Sequence, residues 1–224
     1  MKKYKLYCVS VFLLLCLQAK AQYLSDYSGR PYYLKTYAEI QGSPLLSDSW
    51  VTGTVSFANG KTATAILNYN LYGDELLFKN PKDSAILSFV DPVKSFSLKD
   101  ATIEESDITD PTFSSGFPAA DDQTAKTFYL VVGEGKIKLL RCYKKRVVES
   151  KDFSSQITTK SFLSANAYYM FNNNQLVKIK PNQKTILAAM NDKAAQVQDY
   201  IKKNSVNFKS DAALAKLFSY YNSL

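Results

Sequence analysis

The hydrophobic pattern of this chain changes period twice. One unbroken apolar run, VSVFLLLCL, stands near the start; from 50 to 98 apolar residues come in short stretches separated by turn residues; beyond Pro181 they recur at helical spacing. Short runs bounded by turn residues are the mark of antiparallel strands. Val51, Val55 and Phe57 precede Asn59-Gly60, and Ala65, Leu67 and Tyr69 follow it, which predicts a hairpin with both turn residues at positive φ. Turns around Tyr72-Gly73-Asp74 and Pro81 then separate strands at 75–79, 85–90 and 93–98.

From Asp100 to Ala125 there is no Lys or Arg, while acids gather beside two prolines, so a long acidic loop is predicted over 100–125. A strand at 127–132 and a hinge at Gly133-Glu134-Gly135 lead into KIKLLRCYKK. There Ile137 and Leu139 alternate with lysines, but Leu140 and Cys142 fall in the opposite phase, the slip that a β-bulge produces. This phase puts Arg141 in water and makes Lys144, Lys145 and Arg146 a charged end. A helix over the same residues would bury Lys144, so the strand is preferred. Another hairpin is predicted around Asn172-Asn173-Asn174-Gln175.

After Pro181, Ile186, Leu187, Met190, Ala194, Val197 and Ile201 lie on one helical stripe, which Asn191-Asp192 can interrupt. Ser210 caps a last helix whose inner side is Leu214, Leu217, Phe218 and Tyr221. The fold class expected is β-rich α+β: an antiparallel sheet or half-open barrel of about nine or ten strands with C-terminal amphipathic helices over 182–222. One domain spans 50–224, preceded by a Tyr-rich segment over 22–49.

Lys2, Lys3 and Lys5 before the apolar run, and Ala19-Lys20-Ala21 after it, read as a secretory signal peptide over 1–21. Lipid attachment at Cys16 is disfavoured by the bulky Leu15. No later run is long enough for a transmembrane helix. The mature chain would carry 24 basic and 20 acidic residues, sorted by position: net −6 from Gln22 to Gly133 and net +10 from Glu134 on. The halves are expected to complement each other rather than an outside partner.

Composition removes most catalytic chemistry. With zero histidines there is no Ser-His-Asp or Cys-His site and no imidazole metal site, and Cys142, the one cysteine after the leader, forms no thiolate cluster. Cys142 reads as a buried small apolar residue. Gly60-Lys61-Thr62 lacks the upstream glycine of a phosphate loop, and Gly133-Glu134-Gly135 lacks the third glycine of a dinucleotide site. No cofactor is indicated. Paired carboxylates remain open as a glycosidase. Asp107, Asp110, Asp121 and Asp122 are weak calcium candidates, without the D-x-D-x-D-G register.

Lys136, Lys138, Arg141, Lys144, Lys145 and Arg146 form a candidate patch for an anionic partner, with edge protection the simpler reading. No nucleic-acid motif accompanies them. The 26 Tyr and Phe residues of the mature chain suit a β-core, or the lining of a cavity for an apolar ligand. Asp83-Ser84-Ala85 resembles O-glycosylation sites of exported Bacteroidota proteins, which makes Ser84 a candidate modification site.

QAKAQ at the leader's end, LNYNLYGDELLFK, VKSFSL, GKIKLLRCYKK and LAKLFSYYNSL together resemble a group of exported Bacteroidota proteins. The resemblance implies a location and a shared fold, and carries over no functional residue. The expected function is a non-enzymatic exported protein, periplasmic or surface-associated, that binds or scaffolds an envelope component. A carrier of a lipid-like apolar ligand is the first alternative, and a carboxylate glycosidase the second.

Overall fold

The computed structural model describes residues 27–151 and 156–224. The leader therefore lies outside the described residues. The five strands expected between 50 and 98 are present: β3 (Val51–Phe57), β4 (Thr62–Asn70), β5 (Glu75–Lys79), β6 (Ile86–Phe89) and β7 (Val93–Leu98). Of the first turn's two residues only Gly60 uses positive φ, at +83°, and its N–H bonds to the Phe57 carbonyl at 3.0 Å. The connection is thus four residues with one left-handed position, not the two-residue loop expected.

β1 (Gly29–Pro31), β8 (Thr112–Ser114), β9 (Tyr129–Gly133), β10 (Lys138–Cys142), β13 (Ala167–Asn172) and β14 (Gln175–Ile179) complete an eleven-stranded sheet, in the order β1-β6-β5-β4-β3-β7-β8-β9-β10-β13-β14. Its paired neighbours are antiparallel throughout. A second, three-stranded sheet joins β2 (Ile40–Gln41), β11 (Lys145–Lys151) and β12 (Thr158–Ser164). The described part of the Tyr-rich segment is woven in, since β1 pairs with β6 and β2 with β12.

The large sheet folds on itself at β4. Residues 62–67 of that strand pair with β3 and residues 67–70 with β5, so Leu67 faces Val51 on one side and Phe78 on the other. β6 and β7 stand four strand positions apart, roughly 19 Å in a flat sheet. Only Val90, Asp91 and Pro92 connect them, a link that reaches at most about 14 Å. The two halves must therefore close toward each other, and Phe57 and Phe89 meet with ring centroids 5.6 Å apart. The sheet is curled but not closed into a barrel.

The fold corrects the long loop expected over 100–125. Thr112–Ser114 is a strand near the middle of the sheet, and Phe113, fully buried, stacks on Phe96 at 4.8 Å. The bulge in KIKLLRCYKK is present, as a register shift against β9 between Leu139 and Leu140. The Asn hairpin is present as well, with Asn173 at φ +47° and Asn174 at +59°.

Three helices follow: α1 (Gln183–Ala189), α2 (Ala194–Lys203) and α3 (Asp211–Ser223), with a 3-10 turn at Asn191–Lys193 where the stripe was expected to break. Ile186, Met190, Val197 and Ile201 are buried, as are Leu214, Leu217, Phe218 and Tyr221. α3 lies on β9 so closely that a Cβ on Gly133 would fall 2.6 Å from the Phe218 ring. Among the described residues no helix is long and apolar enough to cross a membrane.

Candidate functional site: the cleft between the folded halves

Folding at Leu67 brings the strand ends of both halves to one place. Gly73–Leu76 from the β4–β5 turn, Phe89–Lys94 from the β6–β7 link, and Ser115–Gly116 and Ala125–Lys126 from the β8–β9 loop surround an open depression of about 820 Å³. Leu76, Phe89 and Phe128, all buried, form its apolar floor.

The turn on one side is built by Asn70. Its Oδ1 accepts the N–H groups of Tyr72 and Gly73, both at 3.0 Å, and its Nδ2 donates to the hydroxyl of Tyr32. Asp74 follows at φ +53° and accepts from the hydroxyls of Tyr69 and, at 2.6 Å, Thr127. Burial and the Asp74 charge hold the Tyr69 phenol well above its ordinary range. Both oxygens of Asp74 are therefore engaged. Glu75 is likewise paired, with Arg30 at 2.8 Å.

Four charges on the cleft make no ion pair among the described residues: Lys94, Lys126, Asp91 and Asp74, the last held by hydroxyls alone. The two lysines are exposed and lie on neighbouring backbone segments, because Ser115 N–H bonds to the Lys94 carbonyl at 2.9 Å and Gly116 N–H to the Ala125 carbonyl at 2.8 Å.

A second cluster surrounds Arg141, which the bulge directs inward. Instead of facing water, as the pattern implied, its side chain is only 6% exposed. Nη1 donates to Asp211 at 2.7 Å and to the Glu105 carbonyl, and Nη2 to the Glu105 carboxylate at 2.8 Å. The rings of Tyr143 and Tyr168 sandwich the guanidinium, 4.7 and 5.0 Å from its carbon. Asp211, with its side chain fully buried, also accepts from Tyr168 at 2.7 Å and Ser106 at 2.8 Å. Burial opposes the charge on Arg141, but Tyr143, Asp211 and Tyr168 more than offset it, and its pKa moves up. Burial raises the phenols of Tyr143 and Tyr168 too. The cluster ties α3 and the acidic segment to the sheet, and its buried carboxylate is out of a substrate's reach.

The other residues of the expected basic patch scatter. Lys136 pairs with Asp192, Lys138 with Glu134 and Lys144 with Asp122, while Lys145 donates to the Ser43 carbonyl at 2.7 Å and Arg146 is exposed on β11. Three ion pairs, Arg141–Glu105, Lys144–Asp122 and Lys178–Asp121, join the basic half to the acidic half, the complementation expected from the charge sorting.

The four calcium candidates do not converge. Asp107 holds Ser210 and the Ala212 N–H, Asp110 accepts from the Asp100 N–H, Asp121 from the Tyr169 hydroxyl and Asp122 from Lys144. No group of three or more His, Cys, Asp or Glu side chains is placed to hold a metal ion among the described residues. Glu105 and Asp211 come together as acids, but both bind the buried Arg141 guanidinium. Cys142 is buried, and burial pushes its thiol up to about 12. Ser84 is exposed at φ +58° in the β5–β6 turn.

Sequence reasoning missed Asp74, Arg30, Lys94 and Lys126 because nothing local joins them. Asp211 had a signal: it shares the stripe of Leu214, Phe218 and Tyr221, where an acid must be paired to be buried. Compared with known proteins, the chain matches no family model, no curated protein and no solved structure.

Proposed function

We propose that this chain is an exported, non-enzymatic protein that binds a component of the cell envelope, and that it does so in the cleft between the halves of its folded sheet. The observation that carries this reading is the contrast between the cleft and the rest of the molecule. The ionisable groups best buried for chemistry are already engaged: Asp211 is paired with Arg141, both oxygens of Asp74 accept from hydroxyls, and Cys142 retains its proton. The cleft instead joins an apolar floor to open charges in a volume suited to a small ligand. The leader pattern supports export, to the periplasm or the cell surface.

A lipid-carrier reading would share the cleft. Phe57, Phe78, Phe89, Phe96 and Phe113 pack ring against ring between the sheet halves, where an internal ligand would lie. Differential acetylation of the folded protein tests the binding reading. With envelope extract present, Lys94 and Lys126 are expected to lose reactivity while Lys202 and Lys203 keep theirs. Equal labelling of Lys94 and Lys126 with and without extract would overturn it.

A further inference from the structure

We infer that residues 117–124 form a strap, latched by charge, that lifts from the sheet as a unit while the strands beneath it stay folded. β9, β10 and β13 carry core side chains on both faces. Leu130, Leu139 and Met170 join the main core with the helices, whereas their neighbours Tyr129, Leu140 and Tyr169 point the other way and form a smaller cluster with Cys142. Packed on that cluster from outside the strands, among the described residues, are Phe117 and Ala120. The Phe117 ring meets Tyr129 at 5.6 Å and Phe171 at 5.2 Å. Two side chains are a slight cover for a sheet face.

The strap leaves and re-enters the fold at one point, as an Ω-loop does, because Gly116, at φ +90°, donates its N–H to the Ala125 carbonyl at 2.8 Å. At the far end Gln123 N–H bonds to the Ala120 carbonyl at 2.9 Å, and charge pins this tip to the sheet. Asp121 faces Lys178 of β14 at 3.6 Å and accepts from the Tyr169 hydroxyl at 3.0 Å. Asp122 pairs with Lys144 at 2.9 Å, and Lys144 also donates to the Gln123 side chain at 3.3 Å. The two acids are 48% and 72% exposed, so these pairs are individually weak and open to screening by salt.

One buried group works against closure. The Tyr129 hydroxyl has no hydrogen-bond partner among the described residues, and its side chain is wholly buried. An unmet buried hydroxyl destabilises the closed form, and lifting the strap lets water reach it. Closure is thus a small balance, with Phe117 burial and two exposed ion pairs on one side and this hydroxyl on the other. Gly116 and Ala125 also line the cleft, but the latch does not depend on what the cleft binds.

Native-state hydrogen exchange of the mature protein tests the strap, read at the Gly116 and Gln123 amides against amides of β9 and β10 and corrected for intrinsic exchange at each salt concentration. Raising salt from 20 mM to 1 M, where the screening length is about 3 Å, should speed the two strap amides roughly threefold to tenfold and leave the strands unchanged. The double variant Asp121→Asn/Asp122→Asn should show the faster rate at both salt concentrations. Tyr129→Phe should act in the opposite direction, slowing the strap amides about fivefold or more at either concentration. Strap amides that exchange only together with the strands would overturn the inference, as would strap rates indifferent to salt in the parent protein. A Tyr129→Phe variant whose strap opens as often as the parent's, or more often, would overturn the opposing role of the hydroxyl.

Discussion

At the scale of single residues, the decisive side chain is Arg141. A buried charge that loses its partner costs more than the pair contributed, about 3–5 kcal/mol. Asp211→Ala should therefore lower unfolding free energy by about that amount in urea titrations, because it strands Arg141, Tyr168 and Ser106 together. Lys144→Ala removes an ion pair whose acid is 72% exposed and should cost no more than about 1 kcal/mol. Equal losses in the two variants would refute the assignment of Arg141 as the buried tie. Gly133→Ala is a second discriminating change. Its methyl group would press on Phe218, and overpacking of this kind costs about 1–3 kcal/mol. Part of that loss should be recovered in a double variant with Phe218→Leu, as a thermodynamic cycle would show. Arg141 also marks where the sequence misled. The bulge was legible from the phase slip between Leu139 and Leu140, but the slip alone does not say which face is covered, and the acids that draw Arg141 inward stand far away in the chain.

Among elements, legibility followed burial. The helical stripe of α1 and α2 and the inner side of α3 were readable because each buries one face in the core, α3 on β9 and α1 and α2 beside it. β11 and β12 were not recognised as the pair they form, because few of their residues are buried on either face and no alternation is written into them. β8 escaped because it is three residues long and sits among acids, so its one core residue, Phe113, has too little context. The Asn173-Asn174 turn offers a test at this scale. Both residues hold positive φ, so Asn174→Gly should be tolerated or stabilise by up to about 1 kcal/mol, whereas Asn174→Val should destabilise by about 1–2 kcal/mol. Thermal melts of the two variants should move in opposite directions or leave only the valine variant displaced. The cleft was invisible in sequence for a different reason: it exists only because β4 changes partners at Leu67, and no local pattern encodes that corner.

For the whole molecule, pH should act at both ends of the scale. Burial pushes the Asp107 carboxyl up, but the Ser210 hydroxyl and the Ala212 amide more than offset this, and Lys144 holds Asp122 below its ordinary range. Carboxyls depressed in the folded state stabilise it above their unfolded value, so that contribution should fade below about pH 4. The Cys142 thiol works in the opposite sense. Raised to about 12 by burial, it favours the folded state less and less as pH climbs above its unfolded value of about 8.5. Iodoacetamide at pH 9 should leave Cys142 unmodified in native protein and alkylate it in urea; rapid alkylation without denaturant would contradict its burial. The Arg141–Asp211 tie has a further consequence, in time rather than in space. Seventy residues of chain separate the two partners. While a nascent polypeptide has emerged past β10 but not as far as α3, its guanidinium has no carboxylate at position 211 to receive it, and the core around it cannot seal. Until α3 has been made, Glu105 is the one carboxylate of this cluster that the guanidinium can meet, and the buried half of the tie is among the last contacts the growing chain can form.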